Sequence, residues 1–187
     1  MAIKVYIDQG HNPKNPNSGA EGNGYREQDL VYTIGVLTAD ILRSRGFDAR
    51  LSRPTPATQL GTSNSSSLAS RVNDANSWGA NVFISLHANA SDNSFASGQE
   101  AFVYSLSSPA YPLAEDILKQ LNLSTGLRNR GVTVRTNLYV LRRTAMPATL
   151  VELGFITNSS DANLMAGNPE LFAAGVANGV LEYYGML

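Results

Sequence analysis

The chain has 187 residues, enough for one domain with a substantial core and short for two. Its 43% apolar residues, 16% charged residues and formal net charge of −1 exclude the strongly basic surface expected of a nucleic-acid binder. It has no cysteine, which excludes disulfides, thiolate nucleophiles and cysteine-ligated zinc, so any metal must be held by histidine and carboxylate.

The amino terminus runs straight into a strand, "IKVYID" (3–8), rich in β-branched and aromatic residues. It lacks the apolar stretch and small-residue cleavage site of a secretory leader, so no signal peptide is expected in this chain. No apolar run approaches the ~20 residues that cross a bilayer. The Asn-, Gly- and Pro-rich segment 12–24 reads as a loop. Leu30, Ile34, Leu37 and Ile41 then mark one stripe of a helix over 27–46, which stops at Gly46. A weaker strand follows at 48–53, and Leu68, Val72 and Ala75 mark a helix over 65–79. "NVFISLH" (81–87) is a second strongly apolar strand, followed by another irregular loop at 91–98 and a strand at 98–105. Leu113, Ile117, Leu118 and Leu121 predict a helix over 108–122. "NLYVLR" (137–142) and "ATLVELG" (148–154) read as strands, and 168–187 closes the chain as a helix.

Alternating strands and helices predict an α/β fold in three layers: a twisted, mostly parallel or mixed central sheet of about six strands with helices on both faces. Residues 1–187 are expected to form a single domain. Loops 12–24 and 91–98 each follow a strand that ends near a histidine. They are therefore expected to share one sheet edge, where ligands bind in open α/β sheets.

His11 and His87 are the only two histidines, and both sit just past apolar strands. Two imidazoles on neighbouring strand ends can ligate one metal, and His₂Glu is a standard catalytic zinc set. Glu27, opening the first helix, is the leading carboxylate, with Glu21 and Asp29 as competitors. Glu21 lies mid-loop without an anchoring element, and Asp29 falls on a different side of the helix. Glu152 is a carboxylate inside an otherwise apolar strand, "LVELGF". Such a position is costly unless the charge is paired or working, and apolar walls would raise its proton affinity toward the range useful for catalysis. The bland alternatives are a helix-dipole role for Glu27 and a buried ion pair of Glu152 with Arg142 or Arg143.

Four stretches, "VYIDQGHNPKNPNSGAEGNGYREQDL", "SRVNDANSWGANVFISLHANA", "GQEAFVYS" and "NLYVLRRTAMPATLVELGFITNSSDANLM", together resemble the zinc-dependent N-acetylmuramoyl-L-alanine amidases of the amidase_3 type. The resemblance runs in order over almost the whole chain. It implies zinc held by His11, Glu27 and His87, with Glu152 as the catalytic glutamate. The reaction it implies is hydrolysis of the amide between the lactyl group of N-acetylmuramic acid and L-alanine in peptidoglycan. Asn89, Arg142 and Arg143 are weaker candidates for substrate contact, while Arg71 reads as half of a structural salt bridge. Regulated relatives carry an extra helix that plugs the zinc site; the segment between His87 and Glu152 leaves no room for one, so an open site is expected.

The partner implied is a muropeptide of the bacterial wall, met by a monomer with neither nucleic acid nor membrane involved. The setting is lytic (autolysin or endolysin) or sporulation, with the wall reached by lysis, by another export route or as the catalytic domain of a longer secreted protein. Two competing readings remain: a zinc peptidase acting on another peptide, and a peptidoglycan-binding module with an inactive site.

Overall fold

The computed structural model describes residues 2–187. Six strands form one sheet in the order β4-β1-β5-β8-β6-β7, where β1 is Lys4–Gln9, β4 Asp48–Leu51, β5 Val82–Asn89, β6 Gln99–Val103, β7 Asn129–Val134 and β8 Ala148–Phe155. The first four in that order run parallel; β6 is antiparallel to β8, and β7 is parallel to β6. A two-stranded hairpin, β2 (Glu21–Gly22) with β3 (Tyr25–Arg26), interrupts the loop after β1. Six helices complete the described residues: α1 Glu27–Ser44, α2 Asn64–Trp78, α3 Ala110–Thr125, α4 Tyr139–Arg143, α5 Ser159–Gly167 and α6 Pro169–Tyr183. No helix among them is long and apolar enough to cross a membrane.

The period-two alternation of the central strands sorts their side chains onto two cores. Val5, Ile7, Ile84, Leu86, Val151 and Leu153 face one way and pack with α1, α3 and α6. Tyr6, Phe83 and Leu150 face the other way and pack with Val72 and Ala75 of α2 and Val140 and Leu141 of α4. The three-layer α/β architecture follows from this burial on both faces, which also explains why the central strands read as nearly continuous apolar runs.

Several elements differ from the sequence expectation. Residues 137–142 are not a strand; Tyr139–Arg143 form the short helix α4. Its aromatic and β-branched residues are also strand formers, and five residues are too few to display a helical period. The sixth strand is instead β7, "NRGVTV", a partly exposed edge strand whose polar and glycine residues hide it. Glu21 is not mid-loop but in the hairpin, opposite Arg26.

The chain leaves β1 toward β4 on one side and reaches β5 on the other, so the carboxyl ends of β1 and β5 flank a topological switch point. Crevices at such points are where α/β sheets bind ligands. Both irregular loops start there, as expected.

Candidate active site

β1 ends at Gln9, and the chain turns through Gly10 into His11, which adopts a left-handed backbone with φ of 66°. That conformation is disfavoured for a side-chain-bearing residue and persists where surroundings over-determine it. Arg71 of α2 supplies those surroundings. Fully buried, it pairs with Asp8 at 2.6 Å, donates to the Gln9 carbonyl at 2.6 Å and donates to the His11 carbonyl. Ser85 also donates to Asp8, at 2.7 Å. Burial favours the neutral form of Asp8, but the Arg71 guanidinium and these hydrogen bonds prevail and hold its carboxyl below the usual range. The expected structural salt bridge of Arg71 is therefore present, and it fixes the corner that carries His11.

Glu27 is the first residue of α1, and its backbone N–H donates to the Ala20 carbonyl at 2.9 Å, folding the loop back to the strand end. Its Oε1 lies 3.1 Å from Nε2 of His11 and 2.9 Å from Nδ1 of His87. Backbone N–H groups of Ala88 and Ala20 donate to Oε1 and Oε2, at 3.0 and 2.9 Å. Burial alone would push this carboxyl up; the two imidazoles outweigh it and hold Glu27 well below the usual carboxylate range. The competitors lie elsewhere: Glu21 is exposed, and Asp29 is exposed and paired with Arg26 at 2.7 Å.

His11, Glu27 and His87 each offer a donor atom, all within 4.8 Å of one another. Nδ1 of His11 is buried with no hydrogen-bond partner, while one oxygen of Glu27 is crowded by both rings. Nε2 of His11, Nδ1 of His87 and Oε1 of Glu27 face one another, and two imidazole nitrogens with one carboxylate oxygen fit a divalent metal of the zinc type. Both rings keep roughly a fifth of their surface exposed, His11 21% and His87 18%, so the site opens to solvent.

Two glycines that sequence reasoning passed over make this convergence possible. A Cβ on Gly10 would lie 2.6 Å from Cε1 of His87 and 2.7 Å from the Leu86 carbonyl oxygen. One on Gly19 would lie 2.8 Å from Oε2 of Glu27 and 2.9 Å from Cδ2 of His11. The signal was present in the Gly-His corner itself, since a glycine beside a ligand often marks a close approach.

Glu152 lies directly opposite His87 in the β5–β8 register and opposite Glu100 in the β8–β6 register. The three side chains therefore line one face of the sheet, across three adjacent strands. Oε2 of Glu152 is buried with no hydrogen-bond partner, and no ion pair joins Glu152 to Arg142 or Arg143 among the described residues. Burial first, then the charges of Glu27 and Glu100, push its carboxyl well above the ordinary carboxylate range. A cavity of about 130 Å³ opens beside the histidines, walled by Leu68, Leu138, Tyr139 and Leu150.

Asn89 is engaged within the protein: its side-chain nitrogen donates to Glu100 at 2.7 Å and its side-chain oxygen accepts from the Ala90 N–H at 2.8 Å. Arg142 and Arg143 are exposed on α4, whose residues Tyr139 and Val140 wall the cavity, and no contact fixes their guanidinium groups among the described residues. Glu100 was not singled out in the sequence; its place in the register beside Glu152 appears only once β6 and β8 pair.

The chain is similar to amidases in both sequence and structure. It is 35% identical over 184 residues to the N-acetylmuramoyl-L-alanine amidase LytC of Bacillus subtilis, spanning 96% of this chain but 35% of that protein. It is 33% identical over 189 residues to a sporulation-specific N-acetylmuramoyl-L-alanine amidase of the same organism, with 98% of this chain and 69% of that one covered. The N-acetylmuramoyl-L-alanine amidase AmiC2 of Nostoc punctiforme superposes with a TM-score of 0.85 at 32% identity, covering 98% of this chain and 97% of that chain. The family model for N-acetylmuramoyl-L-alanine amidase (Amidase_3) matches residues 5–182, and the chain belongs to that family.

Proposed function

We propose that the chain is a zinc-dependent hydrolase of the amide between the lactyl group of N-acetylmuramic acid and L-alanine in peptidoglycan, with residues 2–187 acting as one monomeric catalytic domain. The observation that carries this reading is the convergence of His11, Glu27 and His87 at the switch point, with Glu152 beside His87 in the strand register. Without cysteine, a set of two imidazoles and one carboxylate is a donor set typical of hydrolytic zinc. When bound there, zinc supplies a Lewis acid that polarises a carbonyl and lowers the pKa of water to about 7.

The chain's own residues do the rest. Glu27 remains ionised against both imidazoles, and the N–H groups of Ala20 and Ala88 fix its two oxygens. Glu152, with a free buried oxygen and a raised proton affinity, takes a proton from the attacking water and returns it to the departing alanine nitrogen. An amide nitrogen is a poor leaving group without that proton. Leu68, Tyr139 and Leu150 form an apolar wall beside the histidines and exclude water from one side of the scissile bond.

The test is product analysis on purified peptidoglycan with the zinc-loaded protein. New L-alanine amino termini together with free muramic lactyl carboxylates support the amidase. New amino termini from any other residue would indicate a zinc peptidase, and wall binding without new amino groups would indicate a binding module.

A further inference from the structure

Glu100 is a carboxylate that the proposed reaction leaves unused, and it lies directly opposite Glu152 in the β6–β8 register. Its Oε1 accepts from the side-chain nitrogen of Asn89 at 2.7 Å. Asn89 belongs to β5, two residues past His87 and beyond a register shift, and β8 lies between β5 and β6. The two side chains therefore bridge two strand spacings, about 9.5 Å. The Glu100 carboxyl is thus drawn across β8, on the face that carries Glu152. Arg130, on β7 at the outer side of β6, has its Nε 3.9 Å from the same Oε1. That guanidinium is engaged elsewhere: Nη1 donates to the Ser97 carbonyl at 3.2 Å, and the group lies 5.1 Å from the Phe155 ring centroid. No hydrogen bond or ion pair takes Oε2 of Glu100 among the described residues, and the side chain keeps 19% of its surface exposed.

Residues opposite each other on antiparallel strands hold their Cβ atoms about 4.5–5.5 Å apart. A nitrogen that takes a proton from Glu152 must come within about 3.2 Å of its carboxyl. Such a nitrogen is then within reach of the carboxylate drawn over the same strand. Cutting the amide breaks its C–N bond, the electron pair passes to nitrogen, and an amine and a carboxylic acid result. Near neutral pH the acid sheds a proton, and the amine, with an α-amino pKa of about 8, takes one up. The charge that appears at that nitrogen is positive, and a carboxylate with a free oxygen complements it. Glu152 is less suited to this, because burial and the neighbouring charges favour its neutral form.

We propose that Glu100, held over β8 by Asn89, binds the amino group that the departing alanine acquires when the amide is cut. The inference rests on the amidase reading for the identity of the ligand. It makes Glu100 a contact for the leaving peptide, and Asn89 the residue that positions this contact rather than one that touches substrate itself.

Binding measured on the metal-free protein, where the amine cannot ligate zinc, tests this apart from catalysis. The probes are L-alanyl-D-isoglutamine and propionyl-D-isoglutamine, in which hydrogen replaces the amino group. The unaltered protein should bind the amine about tenfold more tightly than its isostere. Glu100→Gln keeps an oxygen for the Asn89 N–H but removes the charge, so it should abolish that preference. Glu152→Gln should retain it, because the Glu152 carboxyl is already held toward its neutral form. Equal binding of the two probes by the unaltered protein, a preference that survives Glu100→Gln, or one removed by Glu152→Gln would overturn the proposal. The zinc-loaded protein is then assayed on purified peptidoglycan for new L-alanine amino termini. A preference without new termini leaves Glu100 as the amine site and sinks the amidase reading; new termini without a preference do the reverse.

Discussion

Glu152 combines two properties that rarely coexist in a resting side chain: it is a carboxylic acid on an interior strand, and one of its oxygens has no partner. Burial and the nearby carboxylates raise its proton affinity. Replacing it with glutamine preserves size and removes proton transfer, so Glu152→Gln should lower the rate of L-alanine release by about 10²–10⁴-fold without loss of bound metal. A variant that retained more than a tenth of the activity would remove Glu152 from the reaction. The same carboxyl has a stability consequence. A group whose proton affinity is raised by folding stabilises the fold below its unfolded value of 4.5 and loses that contribution as pH rises through the folded value. In the metal-free protein, Glu152→Gln should therefore raise the melting temperature at pH 8 more than at pH 5. Thermal scans at the two pH values check the sign, and an equal gain at both would contradict it. The carboxylate in an apolar strand was legible in the sequence because little else justifies one there. Glu100 was not, since its role depends on an antiparallel pairing that no local pattern announces.

At the level of elements, the strand ends that carry the two histidines depend on a buried cation and on missing Cβ atoms. Arg71 joins α2 to the end of β1 through Asp8 and two carbonyls. Arg71→Ala should destabilise the protein by about 3–5 kcal/mol, the cost typical of stripping one partner from a buried ion pair. Arg71→Lys should recover little of this, because a lysine cannot reproduce the forked contacts; denaturant melts of both variants measure the difference. Gly10→Ala separates packing from ligation. Its new Cβ meets the His87 ring and the Leu86 carbonyl, so it should weaken metal binding by at least tenfold while circular dichroism shows the fold intact. Unchanged affinity would mean that the close approach is incidental. The strong strands β1, β5 and β8 were legible because both faces are buried and their residues are almost uniformly apolar. β7 escaped because an edge strand with one face in solvent needs no apolar run, and α4 was misread because Tyr139, Val140 and Leu141 suit either structure. The helix α5 was also missed: its start is marked by the Asn158 side chain, which accepts from Ser160 and Asp161, but "SSDANLMAG" carries no clear apolar stripe.

Across the whole molecule, the candidate site follows from topology. Parallel strands β1 and β5 deliver His11 and His87 to one edge, the loop and hairpin return Glu27 to the same point, and β8 sets Glu152 beside them. The alternation of elements made this architecture readable, because α/β order and a carboxyl-edge site come together. The rings of His11 and His87 are partly exposed. The purified protein is therefore expected to cleave peptidoglycan without a partner protein, and a strict requirement for an activator would contradict that expectation. The most direct test of the central claim is elemental analysis of the purified protein beside His87→Ala, with circular dichroism on both. The account predicts about one zinc per chain in the unaltered protein and its loss from a folded variant. A folded, unaltered protein that takes up no metal when zinc is supplied would contradict it.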